Sequence, residues 1–249
     1  MKFPLRRGPP KPRPAKSPPA KRRRAAATAG VGGWLSAEGY LFSEALVMMA
    51  PPGDRPEALN LLSEEMIERH LKSGRRGLAV CGPAEGAGTS FICANLAIAL
   101  SQAGVSTLLV DANSHKPGLH DLIVPPGEGL GLRALLSGEA GDVHEVVHAD
   151  ILPNLSVIYA GPAVAGGSEL LAADRFFRFA TSCMRDYALT IFDTPPANRS
   201  ADARTISVAA GYAIIVARRD ATFAQDMTLL TQQLEQDGVE IVGSILNGR

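Results

Sequence analysis

Gly77-LAVCGPAEGAGTSFICANLAIALSQAGVSTLLVDANS-His115 is the stretch whose reading decides the fold. Its opening apolar run, Leu78–Cys81, reads as a short buried strand. A loop holding Gly82, Gly86 and Gly88 follows, then apolar residues at helical spacing from Ser90 to about Gln102. A second buried strand, Thr107–Val110, ends in Asp111. Strand, glycine loop, helix and a strand ending in a carboxylate is the order in which a P-loop phosphate site is built. The glycines let backbone N–H groups turn toward phosphate oxygens, and the helix N-terminus adds partial positive charge. The candidate nucleotide-contacting run is therefore Gly82, Pro83, Ala84, Glu85, Gly86, Ala87, Gly88, Thr89, Ser90 and Phe91, with Ser90 placed to offer a hydroxyl to Mg²⁺.

One residue departs from the pattern. A P-loop carries Lys immediately before its Ser/Thr, and here that position is Thr89. No Lys or Arg occurs between Gly77 and His115, so no shift of register supplies one. The sequence describes a phosphate cradle without its main cation.

At 249 residues the chain has room for one large α/β domain, alone or with a tail, and its 46% hydrophobic content is ample for a core. The net charge of zero hides an uneven split. Residues 1–33 hold ten Lys and Arg and no acid, leaving 15 Lys and Arg against 25 Asp and Glu in the remainder. A basic, Pro-rich arm on an acidic body predicts a disordered segment with an anionic partner, here an anionic membrane surface. A merely solvated tail is the competing reading. No nucleic-acid partner is expected. The odd number of cysteines, Cys81, Cys93 and Cys183, all in apolar runs and without a CxxC pair, predicts buried, reduced thiols. No uncharged apolar run approaches the roughly 20 residues that span a bilayer.

Along the chain, residues 34–55 predict a linker with a short amphipathic helix over Ser36–Ala50. Leu35, Phe42, Leu46 and Met49 would share one face, packed on the domain. Pro56 opens a helix to about Lys72, with Leu59, Leu62, Met66 and Ile67 inward. Beyond Asp111, helices are expected over Leu130–Leu136, Glu169–Arg185, Ala201–Ala209 and Ala224–Gln236. Strands are expected over Leu155–Tyr159, Ala188–Asp193, Ala213–Val216 and Val239–Leu246. Apolar strands alternating with helices define a doubly wound α/β fold over 56–249, with a mostly parallel sheet covered on both faces. Ligands of such sheets sit beyond the strand C-terminal ends, where the glycine loop, Asp111 and Asp193 converge. Asp193, in Ile191-FDTP-Pro196, is placed to hold Mg²⁺ with Ser90 and Asp111, and Asp111 is also available as a base.

With those residues in view, Leu108-LVDANSHKPGL-His120, Glu169-L-Leu171, Ile191-FDTP-Pro196 and Gly243-SIL-Asn247 resemble the bacterial tyrosine kinase (BY-kinase) family. These are P-loop proteins related to the ParA/MinD ATPases, and they serve membrane co-polymerases of exopolysaccharide and capsule export. The resemblance spans about Pro56 to Arg249. It implies ATP or ADP with Mg²⁺ as ligands, ring-like homo-oligomers and autophosphorylation on a C-terminal tyrosine cluster. It also implies a membrane co-polymerase of the chain-length-determinant type as partner, and a cytoplasmic place peripheral to the inner membrane. By likeness to the ParA/MinD branch, Asn247 is expected at the adenine.

The departures weigh as much as the match. Thr89 replaces the P-loop Lys, Asn113 the second acid of the motif after the next strand, and His115 an Arg. Helix Glu57–Lys72 lacks the family's Glu-Arg-Arg contact motif, and Tyr40, Tyr159, Tyr187 and Tyr212 form no cluster. The expectation is a degenerate, regulatory relative that binds nucleotide weakly or not at all. The alternative is an active tyrosine kinase whose cation comes from a partner. A third reading, a zinc peptidase, rests on His144-EVV-His148, which matches HExxH with Glu169 as a third ligand. Pro153 leaves little room for the helix that motif needs, so zinc is not expected.

Overall fold

A computed structural model describes residues 33–162 and 174–248. The arm call over 1–33, apart from Gly33, the Glu169–Leu171 motif and the start of the Glu169–Arg185 helix lie outside the described residues. The strands are β1 (Gly33–Leu35), β2 (Leu41–Ser43), β3 (Gly77–Cys81), β4 (Thr107–Asp111), β5 (Ile123–Val124), β6 (His148–Leu152), β7 (Leu155–Ile158), β8 (Leu189–Asp193), β9 (Tyr212–Arg218) and β10 (Glu240–Asn247). The helices are α1 (Glu57–Glu65), α2 (Thr89–Gln102), α3 (Leu119–Leu122), α4 (Leu132–Ser137), α5 (Asp174–Asp186), α6 (Asp202–Ala210) and α7 (Ala224–Gln236).

Seven strands form one sheet in the order β10-β9-β3-β8-β4-β7-β6. All neighbours run parallel except β6, which pairs antiparallel with β7 at one edge. Side chains alternate between the two faces, as strand geometry requires. Leu78, Val80, Leu109, Ile191, Ile214 and Val216 join one core, and Ala79, Cys81, Leu108, Val110, Phe192 and Ile215 join the other. Helices cover both faces, so the central strands carry no polar face and read as unbroken apolar runs.

Helix α2 lies under the first core and is buried from Ile92 through Ser101. A helix apolar on every side needs a cover on the side away from the sheet. Residues 45–50 supply it: the Met48 N–H donates to Asn95 Oδ1 at 3.1 Å, and Gln102 Nε2 donates to the Met48 carbonyl at 3.0 Å. This corrects the expectation of a helix over Ser36–Ala50. The segment forms a β1–β2 hairpin and a short 3₁₀ turn, Val47–Met49. Gly39, in the middle of the expected helix, sits at a φ of +87°, which turns the chain back. Phe42 and Leu46 are nonetheless fully buried, whereas Leu35 stays exposed and Met49 is half-buried, so two of the four expected inward residues point into the core.

The helix expected from Pro56 to Lys72 forms as α1 and continues through a π-helical turn, Met66–Leu71. That wider turn places His70 inside, where its Nε2 lies 3.0 Å from the Gly77 carbonyl at the start of β3. The three cysteines are buried and unbridged.

Candidate functional site

Strand β3 leaves the sheet at Cys81, and the loop from Gly82 to Gly88 carries the chain to α2. Gly88 is the N-cap of α2 at a φ of +93° and offers no side chain to the first helical N–H groups. A Cβ at Gly88 would run into the Asn247 amide nitrogen, so the position demands glycine twice over. Asn247 ends β10 and donates from Nδ2 to the Ala87 carbonyl at 3.1 Å. In this structure it therefore braces the loop from behind. Phe91, in the first turn of α2, lines a separate groove with Leu62 and Leu246, away from the cavity that the loop encloses.

That cavity measures about 570 Å³ and is lined by Gly82, Ala84 through Ser90, Asn113, His115–Gly118, Asp121, Pro195, Pro196 and Arg199. Asp111 and Asp193 end neighbouring parallel strands and stand at the same register position behind it, both fully buried. Their environments differ. Asp111 accepts three backbone N–H groups: Asn113 on Oδ1, and Gly118 and Leu119 on Oδ2, each at 3.1 Å. Neither oxygen of Asp193 has a partner of hydrogen-bonding geometry among the described residues. Burial pushes both carboxyls above the usual range, Asp111 against the pull of its three N–H donors. Asp193 is pushed up further, by burial first and then by the Asp111 charge. The hydroxyls of Ser90 and Thr89 and the Cys93 thiol lie close enough to offset part of this.

Ser90 completes the group. A Cβ built on Gly118 would lie 2.8 Å from Ser90 Oγ, so the glycine lets the loop that caps Asp111 pass against the hydroxyl. A buried, orphaned carboxylate beside a second carboxylate and a hydroxyl, under a glycine loop and a helix N-terminus, fits a hard divalent cation on a polyphosphate.

The structure adds cations that the sequence reading did not find. Lys116 Nζ lies 2.5 Å from Glu85 Oε1, and Arg199 Nη2 lies 3.4 Å from Glu85 Oε2. Arg218 Nη1 reaches the Gly86 carbonyl at 3.5 Å. These residues follow β4, follow β8 and end β9, so they are distant in sequence and meet only at the sheet's C-terminal edge. The Lys116 contact, with Arg199 behind it, holds the Glu85 carboxyl below its ordinary range. Asn113 Oδ1 accepts the Lys116 N–H at 3.0 Å, closing the turn that carries Lys116. His115 Nε2 lies 3.0 Å from the buried Asp202 carboxylate.

The HExxH run does not form a metallopeptidase helix. Val143–Glu145 is a 3₁₀ turn and His148 already begins β6, so the two histidines are not one helical turn apart. Glu145 Oε1 accepts the N–H groups of Gly141 and Asp142 at 3.1 Å each, in a capping box. His148 packs edge-on against Tyr159 and lies 2.8 Å from the Tyr40 hydroxyl.

A mostly parallel seven-stranded sheet with this loop, this helix and these two strand-end carboxylates defines a P-loop NTPase-fold domain. No protein-family model matches the chain. It is 30% identical over 202 residues to the putative tyrosine-protein kinase EpsB of Ralstonia nicotianae, a match covering 81% of this chain and 27% of that protein. It thus spans about a quarter of the length of the curated relatives it matches. The kinase domain of Escherichia coli tyrosine kinase ETK superposes with a TM-score of 0.68 at 30% identity, over 75% of this chain and 71% of that domain. MinD of Pyrococcus horikoshii, complexed with Mg-ADP, shares the fold at a TM-score of 0.60 and 20% identity, over 69% of each chain. The chain belongs to the bacterial tyrosine kinase family of P-loop domains.

Proposed function

We propose that the chain is a nucleotide-binding regulator of exopolysaccharide production, a kinase-like domain that holds Mg²⁺ and ATP or ADP without efficient phosphoryl transfer. The observation that carries this reading is the pairing of Asp193, buried and without a partner of hydrogen-bonding geometry among the described residues, with Thr89 at the P-loop Lys position. The first keeps a cation site; the second removes the charge that stabilises the transferring phosphoryl group. When bound, Mg²⁺ supplies charge neutralisation at the phosphates. Ser90, Asp111 and Asp193 would hold it, and the loop from Gly82 to Ser90 would cradle the phosphates. Losing one preorganised electrostatic contact typically lowers a rate by about 10²–10³, and losing a full charge is no milder. Asn113 also cannot accept a proton, and its oxygen already closes the Lys116 turn.

The kinship with tyrosine kinases, joined to the motif resemblance to capsule and exopolysaccharide systems, supports a membrane co-polymerase as partner. Ten cations in residues 1–33 support contact with anionic lipid at the inner membrane, at about 1 kcal/mol per charge before screening by salt. The test is phosphate release from ATP by the wild type and by Thr89→Lys/Asn113→Asp. The wild type should sit at background and the double variant above it. Wild-type turnover equal to that of the double variant would overturn the proposal. For the arm, deleting residues 2–33 should weaken binding to anionic vesicles, and unchanged binding would refute that part.

A further inference from the structure

The three cations at the loop rim do not occupy equivalent states. Arg218 touches a backbone carbonyl, whereas Lys116 and Arg199 both rest on one carboxylate, Glu85 at the apex of the glycine loop. Glu85, Lys116 and Arg199 all line the cavity that the loop encloses. Two cations converging on two carboxylate oxygens at the mouth of a phosphate cradle is the arrangement a phosphate group would itself satisfy. The contacts are exposed ion pairs, with the Lys116 side chain 77% and the Glu85 side chain 39% accessible, so a competing anion displaces them at little cost.

We propose that Glu85 is a tethered phosphate mimic, and that Lys116 and Arg199 are polyphosphate-binding cations that take over the ground-state binding role of the missing P-loop lysine and not its part in phosphoryl transfer. The inference rests on the nucleotide-binding reading above and adds to it the source of the cation. In the nucleotide-free protein Glu85 holds Lys116 and Arg199 over the loop. An incoming β- or γ-phosphate takes the cations and releases the carboxylate toward solvent. Glu85 therefore competes with ligand, and removing its charge strengthens binding where removing the cations weakens it. No bond is made or broken in this exchange. It also selects for length, because AMP carries no phosphate beyond the first and gains little from cations at the loop apex.

Calorimetric titration of the full chain with Mg-ATP, Mg-ADP, AMP and Mg-tripolyphosphate tests this. Lys116→Ala and Arg199→Ala should each weaken Mg-ATP about three- to tenfold, the net scale of one solvent-accessible hydrogen bond. Glu85→Gln should tighten it about two- to fivefold, the scale of exposed ion pairs. AMP affinity should fall less than Mg-ATP affinity in Lys116→Ala and Arg199→Ala, and Thr89→Lys should rescue Lys116→Ala. Circular dichroism separates lost contacts from lost fold. Wild-type binding of Mg-ATP that is unchanged in both alanine variants, or weakened in Glu85→Gln, would overturn the inference and leave the nucleotide reading standing. Wild-type protein that binds Mg-tripolyphosphate with these variant effects but no nucleotide would keep the cation cluster and overturn the nucleotide reading. Binding of neither would overturn both.

Discussion

Asp193→Asn should stabilise the ligand-free protein. The carboxylate is fully buried, neither oxygen has a partner of good hydrogen-bonding geometry among the described residues, and the Asp111 charge stands beside it, only partly offset by the Ser90, Thr89 and Cys93 side chains. An unsatisfied buried polar group costs about 1–3 kcal/mol, and a charged one costs more. Asparagine keeps the shape, drops the charge and brings an amide next to the Thr89 and Ser90 hydroxyls. A gain of about 2–3 kcal/mol at pH 8 is expected, or roughly 4–12 °C in Tm for a domain of this size. The sign of the pH dependence follows from the raised pKa. Below the ordinary aspartate range the wild-type carboxyl is neutral folded and unfolded, and the variant gains nothing. As pH rises the unfolded chain releases a proton that the folded chain retains, so wild-type stability falls until the raised pKa is passed. The advantage of the variant should therefore grow from about pH 4 upward and then level off. Thermal melts at fixed ionic strength between pH 4 and 9 measure it. Mg-ADP should raise the wild-type Tm and leave the variant unmoved. A destabilised variant, or a gain that does not change with pH, would refute the claim that Asp193 is an uncompensated charge held for a cation.

Three further outcomes are expected. Asn95→Ala removes the side chain that ties Met48 to α2 and should cost about 1–3 kcal/mol in urea titrations, because the Met48 N–H is left buried without a partner. Gly88→Ala forces a left-handed residue against Asn247; it should lower stability by about 1–2 kcal/mol and abolish Mg-ADP binding in the same calorimetric assay. Burial pushes the His148 imidazole below its ordinary pKa, with His120 adding to the effect. The unfolded chain then binds more protons as pH falls below about 6.5, so wild-type stability should drop there, and His148→Gln should flatten that part of the profile.

Much of the fold was legible because the central strands are buried on both faces, so each appears as an unbroken apolar run between helical spacings. The carboxylates were legible for the same reason, since Asp111 and Asp193 end such runs where ligands of parallel sheets gather. Segment 36–50 misled because Leu35, Phe42, Leu46 and Met49 fit a helical face, while Gly39 was the sign of a turn. The two-residue strand β5 exists only by pairing with β2, and no local pattern announces it. The rim cations were illegible on other grounds. Lys116 lies one residue beyond the Gly77–His115 stretch that carries the loop and its second strand, and Arg199 and Arg218 reach the loop through sheet order alone. Likeness alone places Asn247 at the adenine; its amide nitrogen donating to the Ala87 carbonyl has no signature in the sequence.

The central claim is that this domain kept its cation and phosphate site while losing phosphoryl transfer. Incubating the purified wild type with γ-³²P-ATP and Mg²⁺, and following label on the protein, tests it most directly. Label at background, alongside saturable binding of Mg-ADP in the same preparation, is the expected result. Robust phosphotyrosine on the wild type alone would contradict it, and label that appears only with a membrane partner would assign the missing catalytic cation to that partner.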